Sequence, residues 1–301
     1  MPILKGTNFA DDLDQGNIDN SKINQPTLAY GYGGNDYVSG GHGNDSLYGG
    51  SGDDVISGFR GTDIIDGGTG FDMYVTGCSS ATPPTEANYI YLGNSNSFQD
   101  TGCNGRKLFI SIEWINISSG DALVYGTDTS ESFIGATGEA SLNWIGDDHF
   151  KAFRGADTLI GNGGNDTLRA GNGKDLISGG AGADDLYGGF GQNTFENERD
   201  GSFDELYIKS DHLAVNQLNG KAGNNTGNKK ADIIKSLDPT DEINIQGAKD
   251  SQLTFGATTH VDATGRPIKG IGIFASDSLE AIYIGGNLTI DQLIEMTWAT
   301  P

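Results

Sequence analysis

The chain has 301 residues, 41 of them acidic against 18 basic, for a formal charge of −23, and glycine fills 48 positions. So acidic a surface would be repelled by nucleic-acid phosphates and lacks the basic amphipathic face that suits a membrane surface. No stretch reaches the roughly 18 consecutive apolar residues of a membrane-spanning helix.

Residues 1–30 begin MPILKGTNFADDLD, without a cationic start, an apolar core or a small-residue cleavage site, so no cleaved secretory leader of the usual kind is expected. The GTNFADDLDQG that opens at Gly6, with Asp11 two places before Leu13, is a worn copy of the unit that follows and is expected to cap its first coil.

Residues 31–75 hold five nine-residue units, GYGGNDYVS, GGHGNDSLY, GGSGDDVIS, GFRGTDIID and GGTGFDMYV. Glycines open them at Gly31, Gly40, Gly49, Gly58 and Gly67. Asp36, Asp45, Asp54, Asp63 and Asp72 hold place 6, and Val38, Leu47, Ile56, Ile65 and Tyr74 hold place 8. Glycine accepts positive φ without steric cost, so places 1 to 6 form a tight turn. Places 7 to 9 are long enough for one short strand, whose middle residue points away from its neighbours. Two units then close one flat coil, and coils stack at roughly 4.8 Å. The prediction is an all-β parallel β-roll or β-helix solenoid with an inner apolar column at place 8 and a column of carboxylates along each edge.

Residues 76–142 depart from this period. Residues 88–92 and 108–117 alternate well enough to be strands, and GTDTSESFIG from Gly126 is a worn unit with Glu131 at place 6. This insert is expected to continue the solenoid. It also holds Cys78 and Cys103. A disulfide between them would contribute roughly 3 kcal/mol; the alternative is two unpaired thiols.

A second array, residues 143–196, reads NWIGDDHFK, AFRGADTLI, GNGGNDTLR, AGNGKDLIS, GGAGADDLY and GGFGQNTFE. Its place-6 acids are Asp148, Asp157, Asp166, Asp175 and Asp184, and Asn193 replaces the sixth. Ala152 and Ala170 replace place-1 glycines. Phe59, Phe153 and Asn162 replace place-2 glycines, which puts the shape of those loops in question.

In residues 197–301 the glycine period fades. Residues 205–208, 242–245, 271–274 and 281–284 read as strands, and 216–230 is a Gly/Asn/Lys-rich loop. Thr289 with Gln292 makes a capping box before a short helix. The region is expected to form a β-rich cap, covering strand edges that would otherwise be open.

The carboxylate columns carry the chemistry. Aspartates stacked roughly 5 Å apart repel by about 3 kcal/mol per neighbouring pair at an effective dielectric near 20. No lysine or arginine recurs in the unit to cancel this. A hard cation would, and calcium suits carboxylates and turn carbonyls in loose geometry, whereas magnesium wants a tighter octahedron and zinc wants nitrogen or sulfur. The expected ligands are the ten aspartates named above, with the open turns of Gly31, Gly40, Gly49, Gly161 and Gly179. Without metal, low hydrophobicity and high charge favour an extended chain, so binding and folding would be coupled.

The units resemble GGxGxDxUx, the repeat of the repeats-in-toxin family of hemolysin-type calcium-binding proteins. The resemblance implies ions between a loop and the loop two units on: Asp36 with Asp54, Asp45 with Asp63, Asp54 with Asp72, Asp148 with Asp166, Asp157 with Asp175, and Asp166 with Asp184. It implies that Asn193 weakens the Asp175 site or closes it differently. It also implies export by a type I secretion machine that reads an uncleaved C-terminal segment, and residues 231–247 resemble the module that follows such repeats. Extracellular calcium sites bind at roughly 0.1–1 mM, which suits filling outside the cell.

No HExxH, GxSxG or Walker loop occurs, and His42, His149, His212 and His260 are far apart in sequence. No enzyme is expected. Trp114, Trp144 and Trp298 could form a sugar platform, or simply fill cores. The expectation is a secreted, non-catalytic calcium-binding protein of surface, matrix or adhesive type, with self-association or a cell-surface glycan as partner. The alternative is a glycan-binding or hydrolytic module built on the insert or the C-terminal region.

Overall fold

The computed structural model describes residues 3–9, 11–14, 25–75, 88–92, 99–100, 106–117, 122–127, 131–135, 146–196, 200–209, 231–261, 266–275 and 278–300. Cys78, Cys103, Trp144, His212 and the 216–230 loop lie outside them. The chain divides into two compact units, Met1–Phe150 and Lys151–Pro301. Among the described residues, no helix is long and apolar enough to cross a membrane.

In the first unit the nine-residue period becomes two parallel ladders. One joins Ile3–Lys5, Leu28–Gly33, Ser46–Ser51, Thr62–Thr69 and Arg106–Ile110 in that order, with Gln99–Asp100 antiparallel at its end. The other joins Asp12–Asp14, Tyr37–Ser39, Val55–Ser57, Met73–Val75, Trp114–Asn116 and Ser132–Ile134. Partners such as Leu47 and Ile65, or Val38 and Ile56, stand two units apart, so one coil is two repeats. Place 8 is the core: Val38, Leu47, Ile56, Ile65 and Tyr74 are fully buried. Burying each apolar side chain of this size contributes about 1.5–3 kcal/mol.

The ladders differ from the expected uniform three-residue strands. Those of the first ladder run six to eight residues within the array because the turn that follows also pairs, as Tyr32 with Gly50 and Gly33 with Ser51.

The expected strand 108–117 is two strands, Arg106–Ile110 and Trp114–Asn116. Ser111, at φ 48°, turns the chain between the two ladders, so one apolar run crosses a coil edge. Phe109 pairs with Ile65 and Ile115 with Tyr74, so both halves extend the place-8 column. The rings of Tyr74 and Phe109 meet edge to face, centroids 4.8 Å apart. Phe133 of the worn unit is fully buried at the next place 8.

In the second unit one parallel ladder runs Thr158–Gly163, Leu176–Ala181, Thr194–Phe195, Asp232–Ile234 and Ser278–Tyr283. It then turns antiparallel through Pro267–Ala275 and Leu253–Val261. The other ladder runs Thr167–Gly173, Asp185–Gly191, Glu205–Lys209, Glu242–Gln246 and Thr297–Thr300. Leu159, Leu168, Ile177, Leu186 and Phe195 are fully buried. Helix Ile290–Glu295 starts on the Thr289 and Gln292 capping box and buries Leu293.

Candidate metal centre

Every place-6 aspartate sits at the inner corner of a glycine turn and is buried, from Asp36 through Asp72 and from Asp148 through Asp184. The corner is shaped by place 2, which has positive φ at Gly50, Gly68, Gly171 and Gly180. The same backbone is kept where glycine is absent, at Tyr32, Phe59, Phe153 and Asn162. The substitutions therefore leave the loop shape intact and place left-handed strain on non-glycine residues. Tyr32 and Phe153 meet solvent there.

One oxygen of each carboxylate ties the coils together. Oδ1 of Asp54 accepts from the amide of Asp36 at 2.8 Å, Oδ1 of Asp63 from Asp45 at 2.8 Å, and Oδ1 of Asp72 from Asp54 at 2.9 Å. In the second unit Asp175 accepts from Asp157 at 3.0 Å and Asp184 from Asp166 at 2.9 Å. Asn193 keeps this bond, accepting from the Asp175 amide at 3.2 Å with its side-chain oxygen.

The other oxygen is left over. Oδ2 of Asp36, Asp45, Asp54, Asp72, Asp175 and Asp184 is buried and accepts no hydrogen bond from any described residue. Those of Asp36, Asp45, Asp54, Asp72 and Asp184 point at the place-1 glycine of their own loop, and Asp175 lies in the loop where Ala170 takes that place. A methyl group on Gly31 would lie 2.2 Å from Oδ2 of Asp36 and 2.3 Å from the carbonyl oxygen of Gly49, one coil on. On Gly49 it would lie 2.2 Å from Oδ2 of Asp54 and 2.6 Å from the Gly67 carbonyl oxygen. On Gly161 the distances are 1.9 Å to Oδ2 of Asp166 and 2.6 Å to the Gly179 carbonyl oxygen. On Gly40 and Gly179 it would meet Oδ2 of Asp45 and Asp184. Carboxylate and carbonyl oxygens thus converge where a side chain is missing.

Burial raises these carboxyls. Desolvation pushes Asp45, Asp72 and Asp175 up to about 6 and Asp184 up to about 7, and raises Asp36 and Asp54 as well. Backbone hydrogen bonds oppose this shift in each case, and neighbouring acids reinforce it at Asp36, Asp54, Asp72 and Asp184. A row of buried anions with unsatisfied oxygens is costly unless a cation joins it. Among the described residues no three His, Cys, Asp or Glu side chains converge on a point. The donors are single carboxylates and main-chain carbonyls, all oxygen, which fits calcium and does not fit zinc. The residues that would hold calcium are the place-6 aspartates with the place-1 turns of Gly31, Gly49 and Gly161. The metal would supply positive charge that keeps those carboxylates ionised and the coils together.

The columns extend beyond the glycine repeats to residues that the sequence pattern did not single out. The Asp72 amide donates to Oε2 of Glu113 at 3.0 Å, so Glu113 takes the next place 6. Asp204 accepts from the Asp184 amide at 2.8 Å, Asp241 from Asp204 at 3.3 Å, and Asp232 from Asn193 at 2.7 Å. At the other end Asp11, already read from the sequence as the acid of the worn first unit, donates its amide to Oδ1 of Asp36 at 2.8 Å. A usable signal remains in the chain after glycine is lost: an acid two places before a buried apolar residue, as in Glu113 with Ile115, Asp204 with Leu206, Asp232 with Ile234 and Asp241 with Ile243.

Lys107 was also missed. The register sets it opposite Asp63, at place 6 of the next coil on that edge. It is fully buried, with Nζ 2.8 Å from Oδ2 of Asp63. Burial raises Asp63 and lowers Lys107, and each opposes the other's shift by charge. Of the tryptophans, Trp114 lies 6.3 Å from Phe71, and Trp298 is partly exposed on the last strand.

The family model of the RTX calcium-binding nonapeptide repeat matches this chain in four copies, at residues 28–47, 39–74, 145–168 and 160–195. No curated protein matches the chain in sequence. Among solved structures, the extracellular lipase LipA from Serratia marcescens aligns at 17% identity and a TM-score of 0.27, over 91% of this chain. The alignment spans 40% of the lipase chain.

Proposed function

We propose that this chain, whose two arrays are RTX calcium-binding nonapeptide repeats, is a secreted, non-catalytic β-roll protein that folds on binding several calcium ions. The observation that carries the calcium reading is the row of buried Oδ2 atoms, each set beside a glycine turn and without a hydrogen-bond partner among the described residues. A surface, matrix or adhesive role agrees with coils stiffened by calcium, and with the calcium affinities of roughly 0.1–1 mM typical of extracellular modules, which would leave such sites empty inside a cell. Type I export is the route that the repeat class suggests.

The test is far-UV circular dichroism of the full chain during calcium titration after EDTA treatment, with magnesium as control. A cooperative coil-to-β transition with calcium alone is expected. A chain fully folded in EDTA and unmoved by calcium would overturn the reading. Calcium-driven self-association, followed by light scattering, is the expected sign of the structural role. Turnover of a glycan or ester by the calcium-loaded chain would replace it with the hydrolytic alternative.

A further inference from the structure

The two edges of the first unit end differently. One column keeps its acids beyond the glycine repeats, from Asp72 to Glu113 and then Glu131, the residue level with Glu113 in the adjoining strand pair. The other runs Thr27, Asp45, Asp63 and then Lys107, each a coil apart, with the Thr27 amide donating to Oδ1 of Asp45 at 2.7 Å. At Asp36, Asp45, Asp54, Asp63 and Asp72 alike the second carboxylate oxygen accepts no well-aligned hydrogen bond from a described residue, but at Asp63 an ammonium group stands 2.8 Å from it as an ion pair.

That ammonium lies among oxygens of the kind that would ligate a metal. Lys107 Nζ is 2.8 Å from Oδ2 of Asp63 and 3.5 Å from the carbonyl oxygen of Gly61, in the same turn. Carboxylate and turn carbonyl are the two oxygen types that the other loops offer to calcium. Lys107 is the one lysine or arginine with a fully buried side chain among those the structure describes. A buried ammonium is retained only against buried anions and acceptors, and here Asp63 supplies the contacting carboxylate, with the Gly61 carbonyl oxygen and the charge of Asp45 adding to it.

We propose that Lys107 is a built-in cation that takes the place of one calcium ion at the Asp63 turn, so that the two edges of the first array bind unequal numbers of ions. The inference rests on the calcium reading above. It makes the Asp63 turn the one loop of this array whose carboxylate is neutralised without metal, and it lets one residue outside the two arrays, at place 6 of GCNGRKLFI, change the ion count of the chain.

The experiment is a count of bound calcium per chain, by equilibrium dialysis and elemental analysis at millimolar calcium, for wild type and Lys107→Asp. The variant restores the place-6 acid and is expected to bind one ion more. A variant that folds in calcium with an unchanged count would overturn the proposal. Because Lys107→Asp could fail to fold, wild-type crystals grown in calcium give a second readout. Anomalous density is expected at the Asp36, Asp45, Asp54 and Asp72 turns and none on Oδ2 of Asp63; an ion on that oxygen would overturn it. A wild type that binds no calcium would sink the calcium reading itself, and this inference with it.

Discussion

The amide of Asp36 donates to Oδ1 of Asp54 at 2.8 Å across 18 residues, which spends one carboxylate oxygen on the coil-to-coil bond and leaves Oδ2 facing the turn. One side chain therefore does two separable things. It accepts a buried backbone hydrogen bond, and it offers an anionic oxygen to a cation.

The two roles should separate by mutation. Asp54→Asn keeps the amide acceptor, as Asn193 does at 3.2 Å, and removes the charge. It should fold at saturating calcium but need roughly tenfold more to reach the midpoint, given the size of one lost charge interaction. Asp54→Ala also strands the buried Asp36 amide and should cost about 1–3 kcal/mol further. Calcium midpoints by circular dichroism, with denaturant titrations at high calcium, measure both. Equal behaviour of the two variants would contradict the division of labour.

Acid should partly replace calcium. The raised carboxyls reach about 6 at Asp45, Asp72 and Asp175, and about 7 at Asp184 and Asp241, against an ordinary value near 3.9. A folded-state pKa above the unfolded one contributes stability that is full below about pH 4 and is lost as pH rises through 6 to 7. In EDTA the chain should therefore hold more β-structure at pH 5 than at pH 8. In calcium the sign reverses, because protons compete with metal, so the calcium midpoint should rise as pH falls below 6. An EDTA spectrum that is the same at both pH values would count against this.

Filling the turn should block the site. Gly49→Val would set its Cβ against Oδ2 of Asp54 and the Gly67 carbonyl oxygen. The bound-calcium count should fall, with the calcium midpoint raised on the order of tenfold or more by the misplaced carboxylate. Unchanged stoichiometry would place the ligands elsewhere.

The apolar column should be costly to open. Leu168 is fully buried at place 8, and Leu168→Ala should lose about 2–5 kcal/mol at saturating calcium, read as a lower denaturant midpoint. A loss under 1 kcal/mol would mean that the column collapses around the gap.

The nine-residue period alone determined that the chain coils, that place 8 faces inward and that place 6 lines the edges. These follow from local rules: glycine turns, alternation along a strand, and like charges in a row. The ten place-6 aspartates were legible for that reason, as was the capping box at Thr289 and Gln292. What the period could not carry was register across an insertion. Lys107, Glu113, Asp204, Asp232 and Asp241 sit on the same columns. The unit GCNGRKLFI keeps its glycines at places 1 and 4 but carries Lys107 where the acid would stand; Glu113, Asp204 and Asp241 follow turns in which neither glycine recurs, and Asp232 follows a long interval without repeats. Nothing local says which coil a strand will join after an irregular loop; hydrogen-bond pairing and burial of Phe109, Ile115 and Leu206 in the apolar column decide it. The sequence determined a ladder of carboxylates that calls for calcium. Only the tertiary structure decided where that ladder continues, and that a lysine closes one of its edges, because a cation's place depends on which backbone is stacked above it.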